Sequence, residues 1–412
     1  MHDGTPAEKP ATGDGELKVS FHALECRPDR NEWIVGTQGG AQVLALPEIG
    51  MTAVRLLAAG STVEETRRTL RDRTGRDIDV LAFAERLAAA GLVSLIGERR
   101  FPATVSAVSF PRLRPGHVRW VMNPVLQGFV LLVPVVGLLA ALSRPAVLPS
   151  YGDLLWTEYG TFTVLVQCAV ASSLIALHEM AHLLTARAAG VPGRIRLGTR
   201  LQFLVAQTEV SGVWLKSRRE RLTVYLSGLA LDGVIWGGCL LARRLGVEWT
   251  LLPVITMTLV TSLAGQCLVF MRTDLYFVIQ DLTGCRDLYR DTGRYLRHVV
   301  ERTCGRPSRN PLRSLPAGER RFLRAYALGT VVGTAICVFV GLRILVEVTW
   351  PLMHRSLAHL LGPAGPWVRL DALTSMLVVA GLQVVWARLW WNRHAGRVGR
   401  AVRTVLERLS GG

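Results

Sequence analysis

Lysine is nearly missing from this sequence. Lys9, Lys18 and Lys216 are the only three among 48 basic residues in a chain of 412, and the remaining 45 are arginines, a skew that reads as compositional bias of the source genome rather than as a binding signal. Charge of any kind is sparse: 19% of residues are charged and half are hydrophobic, against roughly 25% charged in ordinary globular chains, which excludes a disordered chain. Acidic residues number 31, so the net charge is +17. A nucleic-acid-binding domain is seldom so apolar, and basic charge beside apolar runs fits a membrane protein better. The seven cysteines (Cys26, Cys168, Cys239, Cys267, Cys285, Cys304, Cys337) contain no C-x-x-C pair. They support neither a disulfide framework nor a thiolate zinc site, and are expected as reduced thiols. Residues 1–17 lack the apolar stretch that a secretory signal needs and read as a flexible, uncleaved tail.

Residues 18–98 carry the pattern of a small soluble α/β module with a winged-helix-like order of elements. The runs Trp33 to Val35 and Gln42 to Leu46 are β-prone and separated by Gly39-Gly40, a hairpin signal. A helix is expected after Pro47, carrying Ile49, Val54, Leu56 and Leu57 as far as Gly60. The segment Ser61-Thr62-Val63-Glu64-Glu65 reads as an N-cap with acidic residues in the first turn, opening a second helix to about Thr74. A third helix covers Val80 to Ala90, and Gly91 ends it before a strand at Leu92 to Leu95. Arg67, Arg68, Arg71, Arg73 and Arg76 invite comparison with a DNA-reading helix, but Glu64, Glu65, Asp72, Asp77 and Asp79 dilute that cluster, so nucleic acid is not the expected partner.

After a basic linker, residues 99–120, apolar runs of membrane-spanning length occur six times, at about 121–142, 161–187, 222–242, 250–271, 325–349 and 372–391. Each is near the 20 residues or so that about 30 Å of hydrocarbon requires. Arginine orients them. Five arginines (Arg99, Arg100, Arg112, Arg114, Arg119) precede the first run, eight basic residues lie from Arg187 to Arg221, twelve from Arg272 to Arg324, and five more in the C-terminal tail. The connections 143–160, 243–249 and 350–371 hold one, two and two. The expectation is a multipass cell-membrane protein with both termini cytoplasmic, comprising a membrane core over 121–292, a cytoplasmic basic loop over 293–324 and a two-span C-terminal region over 325–412. Trp120, Trp156, Trp350, Trp390 and Trp391 flank the runs as interfacial anchors; His117, His298, His354, His359 and His394 fall in connections or at run ends and read as surface residues.

The chemistry lies inside the second run, at His178-Glu179-Met180-Ala181-His182. Two histidines four apart on a helix share a face and can share a metal, and Glu179 beside them can take a proton from an activated water. Ionisable groups at membrane depth each cost about 2.5–3.5 kcal/mol on insertion scales, and zinc would offset that cost here. A catalytic zinc site wants a third protein ligand and an open position. Asp274, at the end of the fourth run, is the leading candidate by membrane depth, with Asp281, Glu209 and Asp232 as rivals.

At these residues the chain resembles the site-2 protease family of intramembrane zinc metalloproteases, in the bacterial branch that carries a PqqD-like domain. The resemblance covers most of residues 160–290, through His178 to Gly190, Thr208 to Trp214, Arg221 to Asp232 and Arg272 to Leu288. It implies a site-2 protease-like core in which His178, His182 and Asp274 bind Zn2+ and Glu179 is the catalytic residue. The family's second motif is Asn-Pro-rich and ends in Leu-Asp-Gly, whereas here Asp274 follows Arg-Thr and precedes Leu275; Gln266 stands where the family carries an Asn that can hydrogen-bond substrate.

The N-terminal module is similar to PqqD-like domains through Leu44 to Pro47, Leu56 to Glu65 and Ala89 to Val93. Such domains bind leader peptides of ribosomally made, modified peptides by adding them as an extra strand at a sheet edge, which here implies Val43, Leu44 and Leu46. The expected function is a membrane zinc metalloprotease that binds and cleaves a peptide or membrane-associated protein, in maturation or export of such a peptide. The competing expectations are a non-proteolytic membrane peptide-binding or export component, and a membrane-tethered winged-helix regulator. The sequence leaves the oligomeric state open.

Overall fold

The computed structural model describes residues 17–30, 32–37, 39–40, 42–103, 107–200, 203–266, 268, 273–285, 288–313 and 315–410, with side chains outside the description for 197–205, 390, 393–394 and 397–410. Residues 1–16 of the expected tail, Cys267, and the side chains of Trp390 and His394 fall outside it. About 69% of the chain is helical, with five helices long and apolar enough to cross a membrane and a small N-terminal sheet region. The chain divides into two compact units, one of Met1–Trp120, Leu183–Ile195 and Thr208–Val224, the other of Val121–His182, Arg196–Gln207 and Tyr225–Gly412.

In the first unit the strands β1 (Val19–Phe21), β2 (Leu24–Asp29), β3 (Glu32–Thr37) and β4 (Val43–Pro47) precede the helices α1 (Glu48–Ala58), α2 (Val63–Thr74) and α3 (Val80–Ala89), and β5 (Val93–Ile96) and β6 (Arg99–Arg100) follow. Two antiparallel sheets form, β2-β3-β4 and β1-β5-β6, so β4 is an edge strand. Helix α2 starts where expected because Thr62 and Glu65 exchange hydrogen bonds: Thr62 N–H donates to Glu65 Oε2 at 2.8 Å and Glu65 N–H to Thr62 Oγ1 at 3.2 Å. It ends at Gly75, whose φ of 67° is left-handed. Val35, Val54, Leu57, Leu70, Leu87 and Val93 are all but fully buried and form one core, each worth about 1.5–3 kcal/mol relative to exposure. On the other face of the β2-β3-β4 sheet lies a 3-10 turn, Ser211–Leu215. Gly36 makes room for it, since a Cβ there would stand 3.0 Å from Leu215 Cδ1, and Lys216 Nζ lies 3.9 Å from Glu25. This packing is why a segment expected in the membrane core clusters with the N-terminal module. Arg67 is bound by Asp77 through two hydrogen bonds, 2.7 and 2.6 Å, which removes it from the group of free cations a duplex would need.

A short helix α4 (Pro115–Val118) leads to α5 (Pro124–Ser143), α6 (Gly160–Ala188), the hairpin β7 (Arg194–Arg200) and β8 (Phe203–Glu209), α7 (Arg218–Arg244) and α8 (Leu251–Gln266). Then come α9 (Asp274–Thr283), α10 (Leu288–Thr303), α11 (Ala317–Ile344), α12 (Trp350–Leu361) and α13 (Pro366–Ser410). Helices α5, α6, α7, α11–α12 and α13 are the five of spanning length. Their outer faces are apolar: Phe129, Leu165, Val338 and Val384 are each at least 60% exposed to solvent in the isolated chain, an arrangement stable in lipid and costly in water. Helix α7 is the most buried of the five. It meets α5 through glycines, for a Cβ on Gly137 would stand 2.6 Å from Gly237 Cα, the close crossing that small residues permit.

The structure differs from expectation in the fifth run and in the basic loop, and describes part of the fourth run. Of the fourth run, Leu251–Gln266 is helical over 16 residues, about 24 Å, while 267 and 269–271 lie outside the described residues. This helix ends at Gln266, whose backbone carbonyl accepts from Thr273 Oγ1 at 3.0 Å and whose side-chain carbonyl accepts from Asp274 N–H at 3.3 Å. The fifth run does not stop at residue 349 but continues through Leu361, because a π turn at Leu345–Thr349 absorbs Pro351, which has no N–H to offer the carbonyl four residues back. The expected basic loop is in good part helical: α10 packs Leu288 with Tyr276, Leu312, Leu323 and Tyr326. At the start of α6, the Asp371 carboxylate on α13 accepts from Gly160 N–H (2.8 Å) and Thr161 N–H (3.1 Å). The C-terminal helices thus cap the helix that carries both histidines. The six described cysteines are free thiols.

Candidate metal centre

Helix α6 places His178 and His182 one turn apart and buries both, at 8% and 6% exposure. Asp274 opens α9 and stands beside both histidines. Among the described residues these three form a group whose ligand atoms lie within 4.8 Å of one another. His178 Nε2 is 2.9 Å from Asp274 Oδ2, His182 Nε2 is 3.3 Å from the same oxygen, and the two Nε2 atoms are 3.2 Å apart. Zinc–ligand bonds of about 2.0–2.1 Å in tetrahedral geometry separate neighbouring ligand atoms by about 3.3 Å. The donor set therefore has the chemistry and the spacing for one small cation. Of the four acidic residues weighed from sequence, Asp274 joins the histidines; Asp281 and Glu209 do not belong to the group.

Asp232 is close by but serves the opposite nitrogen. Its Oδ2 lies 2.8 Å from His178 Nδ1. With a cation on Nε2, Nδ1 would carry the ring proton and donate it to this carboxylate, which only accepts. On the same helix Ser227 Oγ lies 3.2 Å from His182 Nδ1, and α7 thereby orients both imidazoles. Between these two supports is Gly228. A Cβ built there would stand 2.5 Å from both Nε2 atoms, so only the absence of a side chain keeps the space before the donors clear.

Asp274 has a clamp of its own. Gln266 Nε2 lies 3.3 Å from Asp274 Oδ2 while Gln266 Oε1 accepts the Asp274 N–H, so the side chain anticipated on substrate holds the acidic member of the group. Glu179 follows His178 on α6 and is half-buried. Tyr225 stacks on Phe277 with centroids 5.8 Å apart, joining α7 to α9 beneath the site.

The residues expected on the N-terminal edge strand have divided orientations. Leu46 is 6% exposed and belongs to the core, Leu44 packs against that core, and Val43 lies on the other face near Gly36. What β4 offers a peptide is its outer backbone edge.

Ser227, Gly228 and the true partner of Asp232 were not evident from the sequence. The available signal was the aspartate itself, since an ionisable residue in an apolar span needs a partner, and each metal-binding histidine needs one for its second nitrogen. Compared with known proteins, the chain matches no family model, and neither a curated protein nor a solved structure matches it.

Proposed function

We propose that this chain is a membrane-embedded zinc metalloprotease of the site-2 protease type. The observation that carries the reading is the convergence of His178, His182 and Asp274 at 2.9–3.3 Å inside and beside apolar helices, with Gly228 leaving the donor side clear. Charge supports it as well. Asp232 and Asp274 supply two negative charges beside two neutral imidazoles, the complement of one divalent cation in a medium where uncompensated charge is expensive. Zinc, when bound, supplies Lewis acidity that draws a water pKa towards about 7 and polarises a peptide carbonyl. Glu179, adjacent to the ligands, accepts the proton of the attacking water and returns it to the leaving amine nitrogen. Asp232 and Ser227 hold the imidazoles in one tautomer and orientation, and Gln266 holds Asp274.

The N-terminal unit, with β4 at a sheet edge, suits recruitment of an extended peptide by backbone pairing, as PqqD-like domains recruit leader peptides. In this reading the substrate is a peptide or membrane-associated protein, both termini are cytoplasmic, and tethering raises the effective concentration of the scissile bond at the metal. A DNA-reading role is disfavoured by the Arg67–Asp77 pairing.

The experiment is cleavage of a panel of membrane-inserted model peptides by the zinc-loaded full chain in detergent, with products identified by mass spectrometry. Wild type yields discrete products and Glu179→Gln none. Identical products from both proteins contradict the proposal, and a zinc-loaded wild type that cuts no peptide favours the non-proteolytic scaffold.

A further inference from the structure

At one end of the helical bundle, the end of α5, the end of α7 and the start of α8 surround a cavity of about 390 Å³ lined by Arg144, Val147, Arg243, Val247, Glu248 and Trp249, among others. The connections there, 143–160 and 243–249, hold only three basic residues, Arg144, Arg243 and Arg244. Two of the three line this one cavity. The Arg144 backbone is anchored: it caps α5, its carbonyl accepts from Val147 N–H at 3.0 Å, and Val147 is buried with Ala141 and Leu240. Arg243 lines the cavity, and its Nη1 makes no hydrogen bond among the described residues, so its guanidinium retains donor capacity for an acceptor. The cavity's rim is apolar and faces outward, with Val247 50% and Trp249 53% exposed and Leu245 beside them 83% exposed.

We infer that this cavity binds the phosphate of an anionic phospholipid headgroup, with Arg144 and Arg243 on the phosphate oxygens and the acyl chains running along the apolar rim. The volume suits a glycerophosphate group. Two guanidinium groups against one carboxylate, Glu248, leave a net charge of +1 among the lining residues, which selects a ligand of net negative charge. Glu248, an acceptor, suits hydroxyl groups beyond the phosphate, as in a glycerol headgroup. Trp249 has the amphipathic ring that favours the headgroup region. Basic pockets between spans take anionic headgroups on the matrix or cytoplasmic side; two guanidinium groups in one cavity offer the same chemistry here at arginine-poor connections, and the rim selects a lipid over free phosphate because only the lipid covers Val247 and Trp249.

The test is native mass spectrometry of the full chain released from vesicles of phosphatidylglycerol and phosphatidylcholine in equal parts, for wild type, Arg144→Gln, Arg243→Gln, the double variant, and Arg244→Gln as a neighbour that does not line the cavity. Wild type and Arg244→Gln retain phosphatidylglycerol over phosphatidylcholine; each cavity variant lowers that preference about fivefold and the double variant abolishes it, since an interfacial arginine contributes about that factor. Far-ultraviolet circular dichroism and the size-exclusion profile in detergent are unchanged in all five and report that the variants fold. Equal retention of the two lipids by wild type, or an undiminished preference in the double variant, overturns the inference. Displacement of phosphatidylglycerol by millimolar inorganic phosphate assigns the cavity to the free anion and overturns the lipid.

Discussion

Replacing Gly228 with alanine adds one methyl group at the point where the account allows none. The added carbon would stand 2.5 Å from the Nε2 atoms of both His178 and His182, about 1 Å inside ordinary van der Waals contact. On a transmembrane helix the change should otherwise be harmless: alanine is the better helix former by about 0.8–1 kcal/mol. Two opposed effects therefore act at one residue. The helix gains propensity, while the imidazoles must move by about 1 Å at a site whose ligand distances tolerate about 0.2 Å. Overpacking of this kind costs about 1–3 kcal/mol in stability, and the metal bears the greater loss because both nitrogens are displaced at once; zinc affinity is expected to fall by at least a hundredfold. Gly238→Ala is the internal control, lying on the same helix with nothing within 4 Å of its added carbon. The assay is zinc competition with a chelator of known affinity, alongside far-ultraviolet circular dichroism. Wild-type affinity in Gly228→Ala, with helicity intact, would refute the argument that this backbone faces the metal-binding nitrogens.

Three further outcomes follow from the same geometry. Asp232→Asn, which keeps size but loses the charge on His178 Nδ1, should weaken zinc binding by about 10–100-fold without abolishing it, as read by the same competition. Asp371→Ala removes both acceptors at the start of α6 and should destabilise the chain by about 1–3 kcal/mol in detergent unfolding, with zinc stoichiometry unchanged because His178 lies five turns further along the helix. Thr62→Ala removes the α2 cap and should speed amide exchange through the first turn of that helix. The Thr62 backbone N–H and then its side chain hold the Glu65 carboxyl below its ordinary value of 4.5; the variant keeps the N–H, so only the side-chain share of the difference between variant and wild type shrinks as Glu65 is protonated below that pH.

Local signals account for what the sequence made legible. Helices α1 to α3 begin and end at residues whose chemistry is punctuation, Pro47, Thr62, Gly75 and Asp79, and the reading of those elements needed nothing distant. Strand β1 was missed because it exists only by pairing with β5, Val19 against Ile96, and β2 because its sequence, with Arg27, Pro28 and Asp29, has no clean alternation. In the membrane region hydropathy gave length without continuity. It could not tell that Pro351 is absorbed by a π turn, nor that Gln266 at the end of α8 pairs with Asp274. The site divides in the same way. His178, Glu179 and His182 are one helical turn and could be read as such, and Asp274 followed from depth. Ser227 and Gly228 had no local signature, because their role arises only when α7 lies against α6.

The metal content of the purified full chain tests the central claim most directly. Wild type and Glu179→Gln should each hold about one zinc per chain, the glutamate being no ligand, while His178→Ala, His182→Ala and Asp274→Ala should hold little or none at the same chelator concentration. Equal metal in all five proteins, or zinc retained without Asp274 but lost with Asp281→Ala, would contradict the centre described here.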